Sequence, residues 1–292
     1  MGILLGLTAA ICWGVADFCA RFASRRIGAF RALFFMQVVG LVVMTAYLES
    51  SGGISAATRG GRPWALAAFG GVLSTIGSLA LYYAFQIGVM SIVAPISSSY
   101  PAITVALAFL SGERLLPHRA LGLGVTIIGV ALAATSFSSS NASSGPAAEA
   151  SHPHTSKGVI WAIVAAIAFG FMFWFLGFHV VPLTGSAFSV WAIRLSTIGT
   201  LAVFAVPGRQ SLRPPRGSVW WLVVAIGVTD TIAYFANNAG FATGQVAVVS
   251  VLASLYGAVT VLLAWIVVRE RLERSQWLGI ALIFAGIVLV SL

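Results

Sequence analysis

Residues 88–132 read GVMSIVAPISSSYPAITVALAFLSGERLLPHRALGLGVTIIGVAL, and residues 244–289 read GQVAVVSVLASLYGAVTVLLAWIVVRERLERSQWLGIALIFAGIVL. Each stretch consists of an apolar run, a short charged turn and a second apolar run. The core of the match aligns YPAITVALA, which begins at Tyr100, with YGAVTVLLA, which begins at Tyr256. Six of the nine positions are identical, at an offset of 156 (256 − 100). The turns Glu113-Arg114-Leu115 and Glu270-Arg271-Leu272 then align at an offset of 157. Chance rarely aligns such features in order, so the sequence predicts an internal duplication.

The duplication extends over the whole chain. Gly14 aligns with Gly170 and Trp64 aligns with Trp220, in both cases at the offset of 156. Between the copies lies a low-complexity segment rich in Ser, Ala, Gly and Pro, a composition typical of a flexible linker. We therefore predict a first copy over 1–136, a linker over 137–157 and a second copy over 158–292.

The composition indicates that the solvent of this chain is a lipid bilayer. Apolar residues make up 59% of the chain and charged residues 8%, and the mean hydropathy is +1.00. A soluble domain carries about 25% charged residues, which it needs to cover its surface. The net charge of +9 does not indicate nucleic acid, because most of the basic residues lie in short segments between apolar runs.

Ten apolar runs are long enough to cross a membrane as helices. A spanning helix needs about 20 mostly apolar residues, whereas a barrel strand alternates polar and apolar residues over about ten. The runs are 3–22, 30–48, 64–85, 91–110, 118–136, 158–178, 187–206, 219–241, 245–267 and 275–292. We therefore predict an all-α integral membrane protein with five spans in each copy. Because five is odd, the second copy enters the membrane from the opposite side, which makes the copies inverted repeats.

Short motifs in both copies point to a known family. An aromatic residue followed by glycine occurs in the first span of each copy, as Trp13-Gly14 and Phe169-Gly170. A Gly-Glu-Arg-Leu turn follows the fourth span of the first copy, and a glycine-containing helix comes after it. Together with the five-plus-five arrangement, these features resemble the EamA family of the drug/metabolite transporter superfamily. The second copy departs from the pattern, because Arg269 stands where the first copy has glycine.

This resemblance implies a function. The family consists mainly of exporters and permeases of small metabolites, so the resemblance implies a carrier of amino acids or related compounds in the cell inner (plasma) membrane. It implies no cofactor and no nucleotide hydrolysis, and the chain contains no Walker motif. The expected partners are the lipid bilayer and a small-molecule substrate, and a homodimer stays open. The resemblance implies that the last span of each copy serves as scaffold or as dimer contact, not as a gate. Inverted repeats bind substrate near the midplane and transport it by alternating access.

Two other classes of function stay open. A lipid flippase or a cationic-drug exporter would use the same fold, and Asp17 or Asp230 could then bind a cation. An integral-membrane enzyme would need clustered catalytic groups, such as His and Asp, near one membrane face. The four histidines are instead scattered over three predicted loops. We therefore expect no enzymatic activity.

Three charged residues lie inside predicted spans, where charge is costly and often functional. Asp17 is followed by Arg21 at i+4, so a local ion pair near the membrane surface is one explanation for it. Arg194 and Asp230 lie in consecutive antiparallel spans, both roughly 17–18 Å from the connecting side at about 1.5 Å per residue. We predict that they form a buried pair, with either a structural role or a role in binding substrate or protons.

Hydroxyl, amide and aromatic side chains in the duplicated spans are the other candidates for substrate binding. Small hydroxylated residues let helices approach closely and can also line a wet cavity. Amides within an apolar run need partners, because an unsatisfied amide in lipid costs several kcal/mol. Tryptophans can form cavity walls or lie at the membrane surface. The full set of predicted substrate-binding residues is Trp13, Ser98, Tyr100, Arg194, Asp230, Tyr234, Asn238 and Tyr256.

The sequence predicts no metal site. Cys12 and Cys19 lie in one predicted helix, where their separation is roughly 10 Å at about 1.5 Å per residue. A disulfide needs Cα atoms within about 7 Å, so we predict that the cysteines serve packing instead. His152 and His154 lie in the linker without other ligands nearby, and the chain contains no CxxC pattern.

Two arguments give opposite orientations in the membrane. Ten spans place both termini on one side, and the family resemblance implies that this side is the cytoplasm. The segments after spans one, five, seven and nine hold eleven Lys and Arg residues, whereas the segments on the side of the termini hold four. The positive-inside rule places the eleven in the cytoplasm and so the termini outside. We follow the resemblance.

Overall fold

The computed structural model describes residues 1–51, 61–114, 116–134, 153–269 and 274–291. Within these ranges the chain is all-α and contains no strand. The apolar composition explains this, because in lipid each backbone N–H and C=O must find its partner within the protein. A helix satisfies these groups within a single segment.

Twelve helices are described, and they follow the predicted spans closely. The first copy contains α1 (Gly2–Ile27), α2 (Ala29–Ser50), α3 (Gly61–Ile87), α4 (Met90–Ser97), α5 (Pro101–Leu110) and α6 (Pro117–Ala134). The second copy contains α7 (Pro153–Phe175), α8 (Val181–Ala205), α9 (Val219–Phe241), α10 (Val246–Ala253), α11 (Tyr256–Leu263) and α12 (Arg274–Ser291). Helix α7 begins inside the predicted linker, and the linker residues 137–152 lie outside the described ranges.

Seven helical segments of the described chain are long and apolar enough to cross a membrane. One of them, Gly158–Ala205, has 48 residues, and its length of about 72 Å is more than twice the hydrocarbon thickness of about 30 Å. Its backbone leaves the helical region at Gly185 (φ 73°, ψ 170°), a conformation that glycine adopts readily. His179, which we expected in a loop, lies in a π-helical turn between α7 and α8.

The fourth span of each copy consists of two short helices instead of the continuous helix predicted. Helices α4 and α5 are separated at residues 98–100, and α10 and α11 are separated at residues 254–255. In the first copy the cause is Pro101, which begins α5 and has no N–H to donate to the preceding turn. The hydroxyls of Ser98 and Ser254 donate to carbonyl oxygens three residues earlier. These bonds give hydrogen-bond donors to backbone carbonyl groups near the two breaks.

Helices of the two copies pair in a reciprocal way. Helix α1 packs against α9 while α3 packs against α7, so the first and third spans of each copy exchange roles. In the same way α2 packs against α9 while α3 packs against α8. Helices α2 and α6 pack against their own counterparts, α8 and α12. Contacts exchanged in this manner require an approximate two-fold axis between the copies.

The same exchange holds for individual hydrogen bonds. The Thr104 hydroxyl donates to the carbonyl oxygen of Gly170 at 2.9 Å, and the Thr260 hydroxyl donates to that of Gly14 at 3.2 Å. Both pairs of equivalent residues differ by 156 positions. The first span of each copy therefore crosses the broken fourth span of the other copy at close range, with a glycine at the crossing point.

Candidate functional site

A small cavity of about 40 Å³ lies between the two copies. Its walls come from α1, α2 and α3 of the first copy and from α7, α9 and α11 of the second. The lining residues are Trp13, Asp17, Met36, Ser78, Leu81, Tyr82, Phe169, Phe173, Asp230, Tyr234 and Tyr256. One water needs about 10–15 Å³ of such space. In this conformation the cavity therefore has room for a few waters and no room for a metabolite.

Asp230 on α9 is a charged centre of this cavity. Its Oδ2 accepts a hydrogen bond from Nη2 of Arg194 at 2.7 Å, and its Oδ1 accepts one from Nε1 of Trp13 at 2.9 Å. Arg194 is 2% exposed and Asp230 is 7% exposed, so each side chain has the other as its charged partner in place of water. The predicted buried pair of Arg194 and Asp230 is confirmed. Trp13 connects the pair to the first copy.

Arg194 has a second partner in the first copy, which sequence reasoning missed. Its Nη1 donates to Oε1 of Gln37 at 2.6 Å, whereas its Nε has no partner among the described residues. Gln37 lies on α2 and Arg194 lies on α8, the second helices of the two copies, which pack against each other. A helix contacts its own counterpart only close to the two-fold axis that relates them. The charge pair therefore lies near the axis between the copies.

Trp13 also joins the charge pair to a cluster of aromatic rings. Its ring centroid lies 5.2 Å from that of Tyr234, 5.3 Å from that of Phe173 and 6.2 Å from that of Tyr256. Tyr100 stacks on Tyr256, with centroids 6.4 Å apart and ring planes inclined by 13°. Edge-to-face and offset stacked geometries are the favourable ones for aromatic pairs. The rings thus form a well-packed wall around the carboxylate of Asp230.

Asp17 on α1 is the second carboxylate of the cavity. It is 7% exposed, and its Oδ2 has no hydrogen-bond partner among the described residues. The local pairing with Arg21 that the spacing suggested therefore does not account for this oxygen. Asp17 and Asp230 line the same small space from opposite copies.

Four of the eight predicted substrate-binding residues line the cavity, and four do not. Those that line it are Trp13, Asp230, Tyr234 and Tyr256. Arg194 lies behind Asp230 and reaches the cavity only through it. Tyr100 lies behind Tyr256 and is fully buried, with its hydroxyl donating to the carbonyl oxygen of Ser250 at 2.9 Å.

The remaining two predicted residues are involved in packing between helices. Ser98 donates to the carbonyl oxygen of Pro95, and it lies against Gly257 of the other copy. Asn238 on α9 donates from its amide nitrogen to the hydroxyl of Ser189 on α8 at 2.9 Å. Both contacts fix neighbouring helices beside the cavity.

The duplication itself could have revealed two of the lining residues that sequence reasoning missed. Phe169 and Phe173 lie 156 positions after Trp13 and Asp17, which both line the cavity. The other lining residues outside the predicted substrate-binding set are Met36, Ser78, Leu81 and Tyr82. The first three have no chemical signal in the sequence, because apolar and small residues are abundant in every span.

A larger crevice of about 530 Å³ opens at the end of the bundle where α1 begins, and we call this the crevice end. Its walls include Gly177, which lies one helical turn after the cavity residue Phe173, and Phe241 at the end of α9. The ring centroids of Phe173 and Phe241 are 6.3 Å apart. Phe173 lines the cavity and Phe241 lines the crevice, so this ring contact lies between the walls of the two spaces.

Glu113 on the wall of the crevice joins the two copies. Both of its carboxylate oxygens accept hydrogen bonds from the backbone N–H of Ala247, at 3.1 Å, at the start of α10. Burial raises the pKa of the Glu113 carboxyl above its ordinary value, and the backbone N–H groups of Ala247 and Val246 offset part of this effect. Glu113 therefore caps a helix of the other copy.

At the opposite end of the bundle, which we call the Arg25 end, Arg25 joins α1 to the end of α3. Arg25 donates from Nη2 to the carbonyl oxygen of Gly88 at 2.7 Å and from Nε to that of Phe85 at 3.3 Å. Basic groups are favourable at such helix C-termini, where carbonyl groups lack helical partners. Gly88 also packs closely against Gly158 at the start of the second copy. The residue equivalent to Arg25 at the offset of 156 is Val181, which lines the open crevice.

Cys12 and Cys19 are free thiols, and both are partly buried. Within the described ranges, no group of three or more His, Cys, Asp or Glu side chains is arranged to hold a metal ion.

Comparisons with known proteins agree with this architecture. The EamA-like transporter family matches residues 1–135 and again residues 156–292. An uncharacterized protein of Methanocaldococcus jannaschii is 36% identical over 132 residues, which are 44% of this chain and 93% of that protein, so it corresponds in length to one copy. A solved crystal structure matches with a TM-score of 0.75 and 19% identity, over 99% of this chain and 96% of that one. Because the family matches both copies, this chain is a multi-pass membrane protein that belongs to the EamA-like transporter family.

Proposed function

We propose that this chain is a secondary carrier that exports small metabolites such as amino acids and related compounds across the inner (plasma) membrane. It moves its substrate by alternating access between the two copies. The observation that carries the proposal is the cavity between the copies, which holds a buried charge pair, a second carboxylate and a ring of aromatic side chains. Such a cavity, closed to metabolites at its centre and approached by a crevice from one end, fits an occluded stage of a transport cycle. The eight predicted substrate-binding residues remain part of this proposal.

Ten spans in two inverted repeats are the topology that we propose. The reciprocal helix pairing supports it, because it requires a two-fold relation between the copies. The break at Gly185 divides Gly158–Ala205 into two stretches, and the 18-residue helices α6 and α12 would complete the count. With five crossings in each copy, the two-fold axis must lie in the membrane plane.

The unequal ends of the bundle support an alternating-access mechanism. Arg25 joins α1 to the carbonyl oxygens of Phe85 and Gly88 at the end of α3, whereas Val181, 156 positions later, cannot form such bonds at the crevice end. Because the copies are related by a two-fold axis, each helix can adopt the surroundings that its counterpart has in this structure. When all helices do so, the Arg25 end opens and the crevice end closes. The central cavity would then communicate with the other side of the membrane.

Counterflow in proteoliposomes tests the carrier function directly. We expect that liposomes containing the full chain, preloaded with one amino acid or related compound, accumulate at least one labelled member of such a panel without nucleotide. Empty liposomes and liposomes with Asp230→Asn protein serve as controls. Folded protein that moves no member of the panel, with and without a proton gradient, would contradict the proposal.

The location of the termini tests the orientation. We expect both termini in the cytoplasm, because the span count is even and the family resemblance implies this side. A fluorescent protein fused to the C-terminus should then be fluorescent, and an alkaline phosphatase fusion at the same place should be inactive. The reverse pattern would show that the distribution of arginines is the better guide to orientation.

An exporter of cationic compounds is the second candidate function, and a lipid flippase is a weaker one. The orphaned carboxylate oxygen of Asp17 favours the cationic compounds, because it offers an acceptor without a matching positive charge. The flippase hypothesis has no comparable observation in its favour.

A further inference from the structure

We infer that Asp17 binds the positively charged nitrogen of the substrate, and that the preferred substrates are organic amines without a free carboxylate. The inference rests on the proposed carrier function, and among the small metabolites proposed there it selects cationic compounds, the second candidate function, in place of amino acids. In this assignment Asp230 pairs with Arg194 within the protein, and Asp17 pairs with the substrate.

Both carboxylate oxygens of Asp230 already have donors within the protein, from Arg194 and from Trp13. The orphaned Nε of Arg194 belongs to a residue outside the cavity lining. The two terminal nitrogens of Arg194 donate to Asp230 and to Gln37. Only Asp17 lines the cavity with a buried carboxylate oxygen that accepts no hydrogen bond within the described part of the chain.

The charges of the site explain why the missing partner is a cation. Arg194 and Asp230 cancel each other, so an ionised Asp17 leaves one uncompensated negative charge at the centre of the bundle. An uncompensated charge at such a depth is strongly unfavourable, and a bound monocation would neutralise it. A primary ammonium group can also donate a hydrogen bond to the free Oδ2 of Asp17.

The cavity offers no comparable partner for a substrate carboxylate. Its described lining includes no Lys, Arg or His, because Arg194 lies behind Asp230. A zwitterionic amino acid would bring its own negative charge next to Asp17 and Asp230. The site would therefore have to break the Arg194–Asp230 pair to bind a carboxylate, and it has no such need when it binds an amine.

The aromatic walls add a second attraction for a cation. The rings of Trp13, Phe173 and Tyr234 surround the space between the two carboxylates. Cations within about 6 Å of an aromatic face are attracted by its quadrupole, most strongly by Trp. The Arg194 guanidinium already lies 5.7 Å from the centre of the Tyr234 ring, so this part of the wall accommodates positive charge.

A matched series of three probes tests the inference. Phenethylamine, phenylalanine and 3-phenylpropionate share one ring and differ in their charged groups. Calorimetric titration of each into the full chain in detergent should show that phenethylamine binds at least about tenfold more tightly than the other two, as expected for one charge-assisted hydrogen bond. Equal or tighter binding of phenylalanine, or no binding of phenethylamine, would overturn the inference.

Variants of Asp17 identify the group responsible. Asp17→Asn should weaken phenethylamine binding at least about tenfold, because the amide keeps the shape and loses the charge. Asp17→Glu should restore part of the affinity, and Glu49→Gln, which removes an exposed carboxylate at the end of α2, should leave it unchanged. Size-exclusion profiles establish that each variant is folded. Undiminished binding by Asp17→Asn protein would mean that Asp17 holds only a proton, and the inference would be wrong.

Counterflow separates this inference from the carrier proposal. Phenylalanine counterflow that Asp17→Asn does not affect would leave the carrier function intact and overturn the assignment of Asp17. Tight phenethylamine binding that depends on Asp17, in protein that moves none of the three probes, would support the site and contradict the carrier function.

Discussion

Asp230→Asn is expected to reduce transport at least about tenfold and to lower the folded yield, a larger effect than that of Asp17→Asn. The change removes the negative partner of Arg194, which is 2% exposed and would retain Gln37 as its only described hydrogen-bond partner outside position 230. Breaking a buried ion pair by removing one partner costs about 3–5 kcal/mol. Asp17 has no described ion pair, so Asp17→Asn leaves no described cation without its partner. Initial rates in proteoliposomes, corrected for folded protein, measure the effect.

The double change Arg194→Gln with Asp230→Asn distinguishes pairing from two separate roles. Removing both partners leaves no orphaned charge, so the double variant should be milder than the sum of the two single variants. Thermal stability in detergent gives the coupling independently of transport. Strictly additive losses would contradict the pair and would leave Asp230 as an independent substrate or proton site.

Adding a single methyl group at Gly14 or at Gly170 is expected to destabilise the fold. A Cβ on Gly14 would overlap the side chain of Val259, and a Cβ on Gly170 would overlap that of Ile103. Overpacking of this kind typically costs about 1–3 kcal/mol. Gly14→Ala and Gly170→Ala should therefore lower the temperature at which the chain leaves the monodisperse peak in size-exclusion chromatography.

Gly124→Ala is the matched control for these two variants. Gly124 lies in helix α6, it is exposed, and a Cβ there would meet no atom within 4 Å. Alanine has a higher helix propensity than glycine by about 1 kcal/mol, so this variant should be neutral or slightly more stable. If the Gly14→Ala variant were as stable as the Gly124→Ala variant, this result would contradict the close contact between α1 and the broken fourth span.

Much of the architecture could be predicted because the bilayer leaves few choices. Long apolar runs must be helical, and the offset of 156 relates the two copies. The depth of Arg194 and Asp230 followed from counting residues along antiparallel spans, since helical rise is nearly constant. These predictions depend on length and periodicity, which a single sequence contains in full.

The direction in which side chains point was harder to predict. Asp17 could not be assigned from its spacing to Arg21, because the same spacing fits a surface ion pair and a cavity carboxylate. Asn238 is as polar as Tyr234 on the same helix, yet it bonds to Ser189 and lies outside the cavity lining. Which face of a span meets the other copy depends on packing between distant segments, and apolar sequence on all sides of a helix conceals it.

The residues near the two-fold axis differ between the two copies, which is possible because both copies belong to one polypeptide. A homodimer of half-length chains would present each central side chain twice, so an arginine at the axis would face a second arginine. In this chain Arg194 instead contacts the uncharged Gln37 of the other copy, and the residue 156 positions before Asp230 is the uncharged Ser74. Gene fusion thus frees the two halves to mutate independently. Single substitutions can then change the side chains at the centre of the molecule, while the symmetric packing of the surrounding helices is preserved.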